Sequence, residues 1–297
     1  MAMSGILKKI GEPSYTLLEY VVLITLMMYV LTPLLWLLET SVNTDPVPYL
    51  SIPKGITIDH FIAVLTNRPI TGGYAAHPVY MTRWIVNSLI ISGTTMIIVI
   101  ILAVLASYSL SRLRFRGKNL LMTLILLSGF MPRMAMILPL FQLCRTLGLV
   151  DNLIGVAIVV ASGTLPTQIW ILKGFFDQLP RDLEEQAWIC GCDRVSAVFR
   201  IILPNVGPGL AVVAFMSFLS GWGAFTIPLI LIRREYLFPI SLGIASVFIH
   251  NPGEIGLVVD YGPTCALAVL YAIPSIALYI LLRERLMEIR LARLEVR

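Results

Sequence analysis

The stretch Leu183-Glu184-Glu185-Gln186-Ala187-Trp188-Ile189-Cys190-Gly191, followed by Phe199-Arg200-Ile201-Ile202-Leu203-Pro204, is a charged island in an apolar chain. Pro180 stops the segment before it. Asp182 is placed to cap a helix, with Glu185 at the third position completing a capping-box-like pair. That helix is expected to run through Ala187 and Trp188 to about Cys190, where Gly191 permits a turn with positive φ. Asp193 can cap a second short helix carrying Val195, Val198, Phe199 and Ile202 on an apolar stripe. Pro204 and Pro208 end it and lead into the next apolar run. Two readings are open for this helix pair. It can lie among lipid headgroups as an interfacial element, or it can be a handle offered to a soluble partner. Glu185 likewise can cap its own helix or pair across an interface.

Around the island the chain reads as membrane. Its 297 residues are 58% hydrophobic and 13% charged, with mean hydropathy +0.87; soluble domains are about a quarter charged. Apolar runs of the roughly 20 residues that a spanning helix needs occur at Tyr15–Leu38, Trp84–Leu110, Leu120–Leu143, Leu153–Leu172, Leu210–Ile232 and Thr264–Leu282. The first exceeds a signal-peptide core and no small-residue cleavage site follows it, so it is expected to stay as an anchor. Lys8 and Lys9, Arg112 to Lys118, Lys173 to Arg200 and Arg283 to Arg297 fall on one side if both termini are cytoplasmic. The expectation is an all-α, six-span bundle, N-in and C-in. Residues 1–14 form a cytoplasmic N-terminus, 15–38 the first span and 39–83 an extracytoplasmic loop. Residues 84–282 form the transmembrane domain, with the cytoplasmic loop at 178–204, and 283–297 a cytoplasmic tail. Within 39–83, Ile58 to Leu65 can form a short helix with Thr57 as its cap. Pro33, Pro132, Pro139, Pro166, Pro228 and Pro274 interrupt the spans, as static kinks or where the bundle bends around a cavity.

Several function classes fall away. A net charge of +5 is explained by membrane orientation, and no basic groove with interleaved aromatics points to nucleic acid. Cys190 and Cys192 make C-x-C without a second ligand pair, and with Cys144 and Cys265 read as reduced thiols. His60, His77 and His250 are isolated, so neither a metal cluster nor a membrane enzyme is indicated. A secondary transporter would need ionisable residues at mid-membrane and an internal repeat, and neither is visible. No G-x-x-x-x-G-K-[ST] loop is present, so the chain is not expected to bind ATP itself.

The island resembles the EAA loop of binding-protein-dependent ATP-binding cassette (ABC) permeases. Glu185 matches the Glu, Ala187 the second Ala, Gly191 the Gly, and Leu203-Pro204 the end of that motif. Gln186 replaces the first Ala, Cys190 stands where Asp is common, and Cys192 where Ala is common. Trp84-Ile85-Val86-Asn87-Ser88 and Ala106 to Arg112 with Phe115 to Lys118 are also similar to that family. So are Met131-Pro132, Leu138 to Phe141, Leu147 to Leu149 and Pro239 to Gly243. Together they point to the carbohydrate-uptake group, and within it to the smaller, six-span maltose-type permease subunit.

This resemblance implies a type I importer permease fold (MetI-like), a cytoplasmic ABC ATPase dimer that binds Mg-ATP, a second homologous permease subunit and an extracytoplasmic solute-binding protein. It implies a non-catalytic subunit in the cytoplasmic membrane of a bacterium or archaeon. Glu184, Glu185, Ala187, Trp188, Gly191, Phe199, Leu203 and Pro204 are then the residues that couple to the ATPase. Asn87, Ser217, Trp222, Phe225 and Thr226 are candidates for the solute path, each equally able to serve packing. Arg133 lies about 15 residues, or roughly 22 Å of helix, beyond Lys118. It either lines that path or meets carbonyls freed at Pro132. The spans carry almost no acidic residue, which favours a neutral solute, sugar-like rather than a polyamine. The tail can extend the last span as an amphipathic helix, which either stays solvated or on the lipid surface or, as the resemblance implies, reaches the ATPase.

Overall fold

The computed structural model describes residues 12–67, 80–131, 135–249 and 260–294. Lys8, Lys9, His77, Pro132, Arg133 and His250 lie outside them. Among the described residues the chain is helical, with extended pairing limited to one bridge between Asn43 and Ile56. An apolar chain in lipid has no water for its amides, and a helix satisfies them within one segment.

The chain divides into two compact units. The first comprises the described residues within Met1–Val79 and Gly253–Leu270. Its helix α1, Glu12–Val42, is exposed along most of its apolar length, from Leu23 and Met28 to Leu38, as a lipid-facing helix would be. The end of α1 is polar and buried at Thr40, Ser41 and Asn43. There Glu39 accepts from Asn43 Nδ2 at 2.7 Å and from Ser51 Oγ at 3.1 Å. Helix α2, Asp59–Leu65, follows. Its N-cap position is Ile58 rather than Thr57, yet Thr57 Oγ1 still accepts the Asp59 amide at 3.1 Å.

The second unit comprises the described residues within Tyr80–Pro252 and Tyr271–Arg297. At its centre α3, Met81–Arg112, packs on α6, Leu153–Gln178, and on α10, Gly207–Trp222. Val99, Ala103, Leu110, Ala161, Ile169, Leu172, Phe176 and Val213 form one core between them. Ser107 Oγ donates to the Ile169 carbonyl at 2.9 Å and Thr95 Oγ1 to the Ala157 carbonyl at 3.3 Å. Hydroxyls and small residues let spanning helices approach where no hydrophobic effect drives them together. At Gly221 the approach is backbone to backbone, with a Cβ there only 2.6 Å from Ser92 Cα.

Two spans expected to be continuous are broken. The run Leu120–Leu143 folds as α4, Lys118–Gly129, and α5, Ile137–Thr146. The run Leu210–Ile232 folds as α10 and then α11, Thr226–Leu231, with Gly223 to Phe225 between. Gly129, Gly223 and Pro228 lie at or beside these breaks, where helix propensity is lowest. Among the described residues, four helices can therefore cross a membrane alone by length and composition. The count rises to five if the bent pair Arg194–Asn205 and Gly207–Trp222 is one span. Helix α12, Ile240–Ile249, follows a 3-10 turn at Glu235–Leu237. Helix α13, Tyr261–Leu294, shares its residues between the two units and continues past Leu282, so the tail extends the last span as expected.

Candidate functional site

The Arg112 end of α3 carries the island. Helix α7, Asp182–Ile189, begins after Leu179 and Pro180. The expected capping box does not form. Arg181 occupies the N-cap position without a side-chain bond, and Asp182 is already the first helical residue. Asp182, Glu184 and Glu185 instead fill the first turn, where negative charge is favoured by the helix dipole. The other end of α7 is as expected. Gly191 has φ +86°; its amide donates to the Trp188 carbonyl at 3.0 Å and that of Cys192 to the Ala187 carbonyl at 3.0 Å. These two bonds make a Schellman motif, which a residue with a Cβ would strain.

Asp193 then caps α8, Arg194–Ala197, accepting from the amides of Val195 at 3.2 Å and Ser196 at 3.4 Å. Hydrogen bonds from the Ser196 side chain and these amides hold the Asp193 carboxyl below the usual carboxylate range. The second helix is not uniform. A π-turn, Val198–Ile202, joins α8 to a last turn, α9, Leu203–Asn205, that contains Pro204. The chain then bends by 78° into α10. Across the turn, the Arg194 guanidinium sits 5.5 Å from the centre of the Trp188 ring.

The helix pair has two faces. Glu184, Ala187, Ala197 and Ile202 are buried. Glu185, Trp188, Ile189, Val195, Phe199 and Pro204 are exposed, Ile189 at 85%. Of the residues expected to couple, Glu184 is the one turned fully inward with charge. Its Oε1 lies 2.9 Å from Arg112 Nε, with the two side chains 9% and 6% exposed. The Nε–H is turned off the line to the oxygen, so this is an ion pair and not a hydrogen bond. Arg112 also donates through Nη2 to the Leu179 carbonyl at 3.0 Å. Beside it Ser111 Oγ donates to Asp177 Oδ1 at 2.5 Å, Lys173 pairs with Asp177, and Lys118 Nζ donates to the Ser111 carbonyl at 3.1 Å. Arg112, Lys118 and Lys173 are therefore tied into one polar network with Glu184, Ser111 and Asp177. The sequence carried only a faint signal for this network: acidic Asp177 and Glu184 standing near basic span ends.

A cavity of about 510 Å³ opens between the broken helices. Gly129 and Met131, Met136 and Ile137, and Gly223 to Thr226 bring both breaks to its wall, with Val159, Val160 and Ser162 to Thr164 of α6 and Ser220 of α10. Irregular backbone at membrane depth is tolerated where it lines a cavity. The wall is apolar with hydroxyls and, among the described residues, carries no charged side chain. Ser128, Ser162, Thr164 and Ser220 donate to carbonyls of their own helices at 2.7 to 2.9 Å, which leaves oxygen lone pairs for a guest.

Of the expected path residues, Phe225 and Thr226 line this cavity. The other described ones are engaged in packing. Trp222 is buried between Phe218 and Tyr271 and donates Nε1–H to the Tyr271 carbonyl at 2.9 Å. Ser217 is fully buried with no hydrogen-bond partner for its hydroxyl. Asn87 donates to the carbonyls of Tyr236 at 2.9 Å and Phe238 at 3.0 Å. Trp84 Nε1 reaches the Glu235 carbonyl at 2.9 Å, and Ser88 Oγ accepts the Ile240 amide at 2.8 Å. Trp84-Ile85-Val86-Asn87-Ser88 is thus a clasp on the backbone of 235–240. Arg133 lies outside the described residues. Among the described residues no cluster could hold a metal, and the four cysteines are free thiols.

The model of the binding-protein-dependent transport system inner membrane component family matches residues 99–284. The chain is 28% identical over 270 residues to the galactooligosaccharides transport system permease protein GanQ of Bacillus subtilis, covering 90% of this chain and 91% of that one. It is 30% identical to the maltodextrin transport system permease protein MdxG of the same organism, over 68% of this chain and 71% of that one. Its fold matches a chain in the crystal structure of a bacterial alginate ABC transporter in complex with an alginate pentasaccharide-bound periplasmic protein. The TM-score is 0.64 at 15% identity, over 94% of this chain and 96% of that one. The chain belongs to the binding-protein-dependent transport system inner membrane component family and is a multi-pass protein of the cytoplasmic membrane.

Proposed function

We propose that this member of the binding-protein-dependent transport family is a permease subunit of an ATP-driven importer. It forms half of the path for a carbohydrate-type solute: a sugar, oligosaccharide, polyol or glycerol phosphate derivative. The observation that carries this reading is the ordered helix pair at the Arg112 end. It presents Glu185, Trp188, Ile189 and Phe199 outward on a scaffold stopped by Gly191 and capped by Asp193. Exposed apolar side chains rimmed by charge suit a protein partner.

That partner is an ATPase dimer, which binds Mg-ATP and does the hydrolysis; this chain supplies no catalytic group. With this end in the cytoplasm, both termini are cytoplasmic, and closure of the ATPases moves the helix pair. The bundle then shifts between two states around the cavity. The wall, uncharged among the described residues and with free hydroxyl lone pairs, supports a neutral polar solute, and the names of GanQ and MdxG support an oligosaccharide. A second permease subunit and an extracytoplasmic solute-binding protein complete the importer.

The test is reconstitution in proteoliposomes with the ATPase, the second permease and the binding protein. Maltodextrin- or galactooligosaccharide-dependent uptake and ATP hydrolysis are expected with wild type and lost with Glu185→Lys. ATP hydrolysis by this chain alone, or full uptake with Glu185→Lys, would overturn the reading. Stimulation by a polyamine and by no sugar would replace the solute class.

A further inference from the structure

Adjacent glutamates at the start of α7 fall on different faces of the helix. Glu185 is exposed; Glu184 is buried beside Arg112, the last residue of α3. We propose that Arg112 is a positioning residue that transmits movement of α7 to the bundle, through its ion pair with Glu184 and its hydrogen bond to Leu179. This inference rests on the reading of α7 as the surface that an ATPase moves.

Covalently, α7 joins α6 only through Leu179, Pro180 and Arg181. A link of this kind can bend, and a bend would absorb a push on α7. Arg112 closes the gap at two points. Its Nη2 holds the Leu179 carbonyl at 3.0 Å, where α6 ends, and its Nε faces Glu184 at 2.9 Å, in the first turn of α7. The guanidinium fork makes this double contact possible; an ammonium group is a single point.

From Arg112 the force has two routes. One runs along α3, whose far end clasps 235–240 through Trp84 and Asn87. The other passes through neighbouring Ser111 to Asp177 on α6. Desolvation makes a buried pair a poor way to gain stability. Its presence is therefore better explained by what it connects. Because the Nε–H is off the line to the carboxylate, the attraction is that of charge with charge, which falls off slowly with small displacements. Such a contact can stay closed while α7 tilts.

The experiment compares Arg112→Gln, Arg112→Lys and the exchange Arg112→Glu with Glu184→Arg in the reconstituted full complex. Each is scored for ATPase retained on purification and for solute moved per ATP hydrolysed. Arg112→Gln is expected to keep the ATPase but to move about tenfold less solute per ATP, within the usual range of coupling between linked sites. Arg112→Lys is expected to fall in between, and the exchange, which restores the ion pair but not the hydrogen bond to the Leu179 carbonyl, to recover part of the loss. An unchanged ratio in Arg112→Gln, or an exchange that assembles and stays uncoupled, overturns the proposal. Loss of assembly in all three makes the pair a folding element and overturns it too. A wild-type chain that retains no ATPase sinks the underlying function and not this inference.

Discussion

Replacing Gly221 with alanine measures how tightly α10 must sit on α3. A Cβ at Gly221 would stand 2.6 Å from Ser92 Cα and 3.2 Å from both Ser92 Cβ and its amide nitrogen. Non-bonded carbons rest at about 3.5–4.0 Å, so the helices must part by roughly 1 Å. No rotamer change relieves the clash, because the obstacle is backbone. Overpacking of this kind costs about 1–3 kcal/mol, and the upper half of that range is expected here. Each kcal/mol moves the melting temperature of a chain this large by about 2–4 °C. The neighbours Ser220 and Gly223 line the cavity, so the same displacement alters its wall. The assay is thermal melting of the purified complex, with Gly93→Ala as control. Gly93 lies on α3, and a Cβ there meets nothing within 4 Å; alanine gains helix propensity of up to about 1 kcal/mol over glycine. Gly221→Ala should melt several degrees below wild type, and Gly93→Ala at or above it. Equal melting of Gly221→Ala and wild type would mean that α3 and α10 do not touch as described.

Three other outcomes are expected. Asn87→Leu strips two part-buried carbonyls of their donor and should destabilise by about 1 kcal/mol; competition uptake assays should show unchanged solute preference, since Asn87 does not line the cavity. Gly191→Ala has room for its Cβ but keeps φ at +86°, which strains the turn by about 1–2 kcal/mol. Uptake should fall, with Gly191→Asn less affected, and equal uptake by Ala and wild type would deny the Schellman turn its role. Asp193 supplies the pH dependence. Its carboxyl is lowered on folding, so its contribution is complete above the ordinary carboxylate pKa and is lost as pH falls through the lowered value. Amide exchange of Val195 and Ser196 should accelerate on that acid limb in wild type, while Asp193→Asn should show no such limb.

Much of this molecule was legible as a string. Hydropathy located the apolar runs, since lipid imposes one requirement on every segment alike. Gly191 and Asp193 stood out because a helix stop and an N-cap are set within a few residues. The breaks at Gly129 and Gly223 were hidden. Their flanks remain apolar, and hydropathy does not register a lost hydrogen-bond ladder. Trp222 was expected on the solute path and is packed between Phe218 and Tyr271. An aromatic has the same composition in either place, and only the neighbouring helix decides.

The two glutamates mark the boundary between sequence and fold. The chain itself determined that a charged pair of short helices, turned at Gly191 and capped at Asp193, interrupts a membrane protein, because such a turn, such a cap and hydropathy are local quantities. Only the tertiary structure decided which carboxylate serves the outside and which the bundle. Successive residues on a helix point about 100° apart. Packing of α7 against the end of α3 buries Glu184 with Arg112 and leaves Glu185 free to meet a partner.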